Sequence, residues 1–193
     1  MKKVLNYVNK DGTINTSDVI AGGISKFDYY RFLKENNYQK VAPGVYASED
    51  AWLDELLLLN IRCPKGVISH DEALYYYGLI DHEPQSTTFT IYSGYNVSRL
   101  KSKGYKAFYV KKELLDIGKM KVIDFYGNEI NMYDLERTIC DLVRNRNDFE
   151  IQDYNNALKS YVKRKDKNIT KLFEYATLFK IENVLRKYME VLL

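Results

Sequence analysis

The first 47 residues are divided by capping residues and glycines into short segments, and the order of these segments strongly constrains the fold. A helical stripe over residues 2–10 ends near Gly12, because glycine tolerates the left-handed conformation of a helix terminus. Thr16-Ser17-Asp18 supplies capping residues for a second short helix, which Gly22-Gly23 ends.

A third helix and a hairpin complete this segment. Ser25 is placed to cap a helix that runs to about Asn36, and Asp28 is placed to reach back to the backbone N–H of the cap. Two short strands around Pro43-Gly44 form the hairpin. Helix, helix, glycine turn, helix and hairpin is the order of a winged helix-turn-helix, which we predict for residues 1–47.

Residues 48–193 alternate between helical and β patterns in blocks, and we predict a second domain there. Helices are expected from 48–50 to about Asn60 and over 69–78, the second opened by a Ser69-His70-Asp71-Glu72 capping pattern. Residues 86–131 hold β-rich runs divided by turns, and helical periodicity returns after Tyr133. The predicted class is therefore α+β, with a winged helix-turn-helix followed by a larger mixed domain that has a small sheet and flanking helices.

Positive charge is concentrated at the N-terminus of the sequence. The net charge is +3, and residues 1–47 hold seven Lys or Arg against four acids, so the remainder is neutral with 22 of each sign. This distribution is the one expected of a module that binds a polyanion. A docking module for protein, with an ordinary solvated face, is the alternative.

The third helix of such a module lies in the major groove, and its outward side chains contact the DNA. Tyr29, Phe32 and Leu33 have the spacing of a buried face, which leaves the polar residues outward. Lysine and arginine donate to guanine or phosphate, and a serine at a helix N-terminus suits a phosphate. The predicted DNA-binding residues are Ser17, Ser25, Lys26, Asp28, Tyr30, Arg31, Lys34 and Lys40.

Motifs in both parts of the chain resemble those of AbiEi-type antitoxins. In the first part they are Gly23-Ile24-Ser25, Tyr30-Arg31 and the hairpin from Lys40 to Tyr46. In the second part they are residues 67–74, which resemble the first shared helix of that domain, and residues 133–141, which contain Glu136-Arg137-Thr138. The order of the motifs is similar, and the resemblance spans almost the full chain.

This resemblance implies the antitoxin of a type IV toxin–antitoxin system, linked to abortive infection and phage resistance. The N-terminal domain would repress its own operon by binding inverted repeats in double-stranded promoter DNA. The C-terminal domain would counter a nucleotidyltransferase-like toxin, with no stable complex between the two proteins. The alternative is a simple winged-helix transcription factor whose second domain binds a ligand or oligomerises.

Two further groups of residues stand out in the second domain. Glu136, Arg137 and Asp141 lie on an amphipathic helix, and we predict a structural role, with a partly buried ion pair that ties the helix to the sheet. Residues 99–121 carry a net charge of +6 and residues 159–171 one of +5, which indicates a basic face for nucleic acid or an acidic partner, or simple solvation. The candidate antitoxin surface is Arg99, Lys101, Lys103 and Lys106.

The sequence indicates no enzyme, no metal site and no cofactor. His70 reads as helix capping with solvent contact, and Cys63 and Cys140 lack the spacing of metal ligands. A fused nuclease is a remote alternative, because Asp124 is followed by Glu129-Ile130-Asn131, with Asn where a catalytic Lys is needed. We expect a cytoplasmic protein with reduced thiols and no membrane span.

Overall fold

The computed structural model describes residues 2–51 and 53–192 and has a mixed α+β fold with two compact units. Unit 1 comprises Met1–Pro64 and Ile123–Glu129, and unit 2 comprises Lys65–Val122 and Ile130–Leu193. The sequence placed the domain boundary after residue 47. Unit 1 extends further because the helix Glu55–Arg62 packs against the hairpin, where the Arg62 guanidinium donates to the carbonyl of Val41 at 3.3 Å.

Unit 1 is built from short helices around a three-stranded antiparallel sheet of order β1-β3-β2. Its core combines Val4 and Ile14 with the buried side of the helices, chiefly Val19, Tyr29 and Phe32. The elements are α1 Lys2–Leu5, β1 Thr13–Asn15, α2 Thr16–Ala21, α3 Lys26–Glu35, β2 Gln39–Ala42, β3 Val45–Ala47 and α4 Glu55–Arg62.

The third helix and the hairpin of unit 1 lie where the sequence predicted them, whereas four other details differ. The first helix ends at Leu5, and strand β1, which pairs with β3, was not predicted. The cap of α2 is Asn15, with no side-chain capping bond. Helix α4 begins at Glu55 rather than at 48–50, because the Asp54 carboxylate accepts from two backbone N–H groups of its first turn.

Unit 2 contains a five-stranded mixed sheet of order β6-β5-β4-β8-β7. The strands are β4 Val67–Ile68, β5 Thr88–Tyr92, β6 Lys106–Val110, β7 Lys119–Ile123 and β8 Glu129–Tyr133. Strand β4 is antiparallel to β5 and parallel to β8, and β5 is parallel to β6. Residues 67–74, which resemble a shared helix of the AbiEi-type antitoxins, therefore begin with a strand at Val67.

Helices cover the sheet of unit 2 and supply most of its apolar core. Leu74, Ile139, Leu158, Leu172 and Leu185 come from five different helices and pack in one cluster. The helices are α5 Asp71–Tyr76, α6 Ser98–Lys101, α7 Leu135–Arg144, α8 Ile151–Lys163, α9 Ile169–Leu178 and α10 Glu182–Leu192. The helical periodicity predicted after Tyr133 is confirmed by α7, α8, α9 and α10. Among residues 2–51 and 53–192, no helix has the length and apolar character of a membrane span.

Arg137 on α7 is fully buried; its Nε and Nη1 are hydrogen bonded, whereas its Nη2 has no hydrogen-bond partner among the described residues. Its Nε donates to Asp141 Oδ2 at 3.0 Å, and its Nη1 donates to the carbonyls of Leu114 at 3.0 Å and Ile117 at 2.6 Å. The guanidinium carbon lies 3.9 Å from the Tyr133 ring centroid and 4.2 Å from that of Phe179. The ion pair of Arg137 with Asp141 is thus wholly buried rather than partly buried, and it lies within α7. The two Nη1 bonds to carbonyls are what join α7 to the segment before β7.

Glu136 makes a separate link from α7 to the following helices. Its Oε1 accepts from the backbone N–H of Asn168 at 2.9 Å, just before α9, and from the Tyr161 hydroxyl of α8 at 3.4 Å. A charged side chain that is almost completely buried needs such partners. Glu136 and Arg137 therefore join α7 to α8, to the start of α9 and to the segment before β7, while Asp141 pairs with Arg137 within α7.

Candidate nucleic-acid interface

Helix α3 is capped by Ser25, and one side of the helix is buried. The Ser25 hydroxyl accepts from the backbone N–H of Asp28 at 3.1 Å and donates to Asp28 Oδ2 at 2.7 Å. This is part of the predicted capping box, except that the carboxylate bonds the serine hydroxyl and not its backbone N–H. Tyr29, Phe32 and Leu33 are buried, as their spacing predicted, so the opposite side of α3 faces outward.

The outward side of α3 carries three cations and two aromatic rings. We call the set Lys26, Phe27, Tyr30, Arg31 and Lys34 the α3 face; all five residues are exposed. Phe27 is more exposed than Tyr30, with 73% of its surface accessible. The Arg31 guanidinium carbon lies 5.5 Å from the Phe27 ring centroid. All eight sequence-predicted residues, Ser17, Ser25, Lys26, Asp28, Tyr30, Arg31, Lys34 and Lys40, are exposed.

Asp28 orients Arg31 within this face. Asp28 Oδ1 accepts from Arg31 Nη2 at 2.9 Å, while its other oxygen accepts from Ser25. Both carboxylate oxygens of Asp28 are therefore occupied, and a carboxylate repels phosphate. We conclude that Asp28 and Ser25 shape the helix start and hold Arg31, which leaves the remaining guanidinium N–H groups of Arg31 for a ligand.

The hairpin is joined to both helices by specific contacts. The backbone N–H of Thr16 at the start of α2 donates to the carbonyl of Gly44 at 2.8 Å, and Gly44 has a φ of 75° that favours glycine. The rings of Tyr30 and Tyr46 meet edge to face at 6.4 Å. Lys40 on β2 lies opposite Tyr46 in the strand register. Lys40 therefore belongs to the same assembly of hairpin and helix as the α3 face.

Phe27 was missed by the sequence reasoning. It lies on the side of α3 opposite the buried stripe, and a large apolar residue on an outward face is the signal that could have identified it. Apolar side chains contact the thymine methyl group in the major groove. Ser17, by contrast, is exposed but donates to Asp18 Oδ1 at 3.1 Å.

The charge excess is a property of residues 1–47 and not of unit 1 as a whole. The parts of unit 1 outside residues 1–47 bring in Arg62 but also six acids. These acids are Glu49, Asp50, Asp54, Glu55, Asp124 and Glu129. The electrostatic case for a polyanion therefore rests on the α3 face and Lys40, where the cations are concentrated.

The second predicted surface lies at one edge of the sheet in unit 2. Arg99 and Lys101 are on α6, Lys103 follows it, and Lys106 begins β6; all four are exposed. The Lys101 ammonium lies 5.3 Å from the ring centroid of Tyr109, which is 43% exposed. The structure thus brings these cations to neighbouring elements and adds an exposed aromatic ring that the sequence reasoning did not include.

His70 is at the N-cap position of α5, without a capping bond from its side chain, but its predicted contact with solvent is wrong. His70 is 1% exposed, has a φ of 56° and stacks on Phe108 with 3.4 Å between ring centroids. Its ring nitrogens are hydrogen bonded to Ser69 Oγ at 2.8 Å and Asn145 Nδ2 at 3.0 Å. Burial, reinforced by the charges of nearby arginines and a lysine, holds the pKa of His70 well below its ordinary value. The Thr88 hydroxyl, not Ser69, accepts from the first turn of α5.

Asp124, the acid of the nuclease alternative, shapes a turn, and the thiol of Cys140 is buried. Asp124 is 5% exposed, and its Oδ1 accepts from the backbone N–H groups of Tyr126 and Asn128, both at 2.8 Å, which shapes a tight turn. Burial raises the pKa of the Cys140 thiol, which makes it a poor nucleophile. Within the described residues, no group of three or more His, Cys, Asp or Glu is arranged to hold a metal ion.

Comparison with solved structures finds a similar fold in the Rv2827c protein of Mycobacterium tuberculosis. The two chains are 13% identical, with a TM-score of 0.59, over 91% of this chain and 70% of that chain. At this identity the likeness shows a shared α+β fold and carries no activity across. No protein-family model and no curated protein matches the sequence.

Proposed function

We propose that unit 1 binds double-stranded DNA sequence-specifically, as a winged helix-turn-helix. The observation that carries this proposal is the α3 face, which presents the exposed Lys26, Arg31 and Lys34 together with two exposed rings. A helix with this face suits the major groove, where Arg31 donates to guanine or phosphate and Phe27 contacts a thymine methyl. Lys40 on the hairpin would then lie beside the adjacent sugar–phosphate backbone of the DNA.

The first experiment combines two variants of the α3 face with a salt titration. We expect Arg31→Ala to cost about 1–3 kcal/mol of binding to the promoter DNA of its own operon. It should also reduce the slope of log K against log salt by about 1, because one cation no longer displaces counterions. Lys40→Ala should reduce the slope in the same way.

Phe27→Ala is the matched control, because it alters the same face without removing a charge. It should weaken binding while leaving the salt slope unchanged. Affinity by fluorescence anisotropy at several salt concentrations measures both quantities. If Arg31→Ala and Lys40→Ala bind as the wild type does at every salt concentration, α3 and the hairpin do not contact DNA.

We further propose that the protein is a cytoplasmic antitoxin of the AbiEi type that represses its own operon. The support is the pair of motif groups in residues 23–46 and 67–141. Inverted repeats in the operator would place two copies of the chain on one promoter. The simple transcription factor is the other candidate, and a neighbouring gene for a nucleotidyltransferase-like toxin distinguishes the two.

The antitoxin role predicts a separation of functions between the two units. Replacing Lys101, Lys103 and Lys106 together by alanine should abolish protection of cells that express the toxin, while repression of the operon stays intact. Removing Lys159, Lys163 and Lys165 takes the same charge from a different exposed surface, and those cells should remain protected. Survival counts and a promoter reporter give the two readouts. Full protection by the first variant excludes this surface from antitoxicity.

A further inference from the structure

Residues 84–112 contain no Asp or Glu, although acids are frequent elsewhere in the chain. Six cations lie within this stretch: Arg99, Lys101, Lys103, Lys106, Lys111 and Lys112. Among the described residues, Arg99, Lys101 and Lys103 form no ion pair with an acid, and all three are exposed. Their charge is therefore uncompensated by neighbours, and it attracts anions to this part of unit 2.

The fold places these cations next to an exposed ring on an edge strand. Leu100 and Tyr105 are buried and anchor the segment, so α6 and the turn after it are held against the sheet. Tyr109 on β6 is 43% exposed, with the Lys101 ammonium 5.3 Å from its ring centroid. We call Arg99, Lys101, Lys103 and Tyr109 the Tyr109 patch.

The outer edge of β6 adds backbone donors to the Tyr109 patch. Strand β6 ends the sheet order among the described strands. The backbone N–H of Lys106 donates to Thr87 and the carbonyl of Val110 accepts from Ser93, so the peptide groups of these even-numbered residues point towards β5. By strand alternation, the N–H groups of Ala107 and Tyr109 point to the open edge.

We propose that the Tyr109 patch binds single-stranded nucleic acid. Cations without competing acids contact the phosphates, and the Tyr109 ring, supported by Lys101, provides a platform on which a base stacks. Duplex DNA fits less well, because its bases are already stacked and paired and offer no free face to the ring. An acidic protein segment gains from the cations but not from the flat face of Tyr109. This proposal rests on the surface around Lys101 that was proposed above for the antitoxin role, and it names the ligand of that surface. It does not depend on the DNA contacts proposed for the α3 face.

The test measures binding of the full-length chain carrying Lys26→Ala, Arg31→Ala and Lys34→Ala, which removes the three cations of the α3 face. Labelled oligouridylate and oligothymidylate of about 12 nucleotides serve as probes. In this background Tyr109→Leu should weaken binding by about tenfold, whereas Tyr109→Phe should retain it within about twofold, because stacking needs the ring and not the hydroxyl. This loss on either probe supports the proposal, because every base offers a face for stacking.

A charge-matched pair of variants and two competitors complete the design. Lys101→Ala with Lys103→Ala should weaken binding and lower its salt dependence, whereas Lys163→Ala with Lys165→Ala should change neither. Unlabelled single strand should displace the probe far better than a duplex of the same length or a polyglutamate peptide. The proposal fails if Tyr109→Leu binds as well as its parent while keeping the parent's thermal midpoint, or if polyglutamate competes equally. The duplex experiment with Arg31→Ala in the otherwise native chain reports on the α3 face separately.

Discussion

Replacing Arg137 with methionine should lower the free energy of unfolding of unit 2 by about 3–5 kcal/mol, the cost of breaking a buried ion pair by removing one partner. Methionine keeps much of the side-chain volume, so the loss is mainly polar. Asp141 would lose the bond from Arg137 Nε, and the carbonyls of Leu114 and Ile117 would lose their donor. The stacking on Tyr133 and Phe179 would also lose its cation.

Arg144→Met is the matched control for this prediction. Arg144 donates to the other oxygen of Asp141 at 3.0 Å, but its side chain is 23% exposed, so water replaces the lost bond. We expect a loss of only about 1 kcal/mol. Urea denaturation followed by circular dichroism measures both variants. Equal losses would show that the full burial of Arg137 contributes nothing, and the interpretation would have to be abandoned.

Replacing Gly118 with alanine should cost about 3–4 kcal/mol, from a left-handed backbone and from overpacking. Gly118 has a φ of 75°, and an added Cβ would lie 2.5 Å from the Cβ of Arg137 and 3.2 Å from Asp134 Oδ1. Neither neighbour can move freely. Arg137 is held as described above, and Asp134 Oδ1 accepts from the first turn of α7 at 2.8 Å.

Gly104 separates the two costs, because it has a φ of 90° with no atom within 4 Å of an added Cβ. Gly104→Ala should therefore lose only the backbone cost of about 1–2 kcal/mol. The difference between the two alanine variants in urea denaturation gives the contribution of close packing against Arg137. A Gly118→Ala variant no less stable than Gly104→Ala would contradict the packing described here.

Features encoded by neighbouring residues were predictable from the sequence. Ser25 and Asp28 begin α3 through contacts within one turn, and the Pro43-Gly44 turn sets the hairpin by local geometry. The buried side of α3 follows from helical spacing alone. For the same reason the exposure of the predicted residues on α3 follows from the sequence, and the same spacing places Phe27 on the outward side.

Features that depend on distant partners were not predictable. Strand β1 exists because it pairs with β3, which follows it by some 30 residues in the chain. The cap of α5 comes from Thr88 on another element, so the pattern at Ser69 was misleading. Arginine is rarely buried completely, and the carbonyls that receive Arg137 lie 20 and 23 residues away. No local pattern could show that they converge on one guanidinium.

The enclosure of Arg137 has a consequence for how unit 2 unfolds. Its partners come from the segment before β7, from the end of β8, from α7 itself and from the end of α9. If any one of these segments detaches, the buried Arg137 guanidinium loses part of its partners. The free energy of opening one segment should therefore be nearly as large as that of unfolding the whole unit. The amide hydrogens of α7 should therefore exchange with solvent only when the whole unit opens, as one cooperative block that spans most of the second half of the chain.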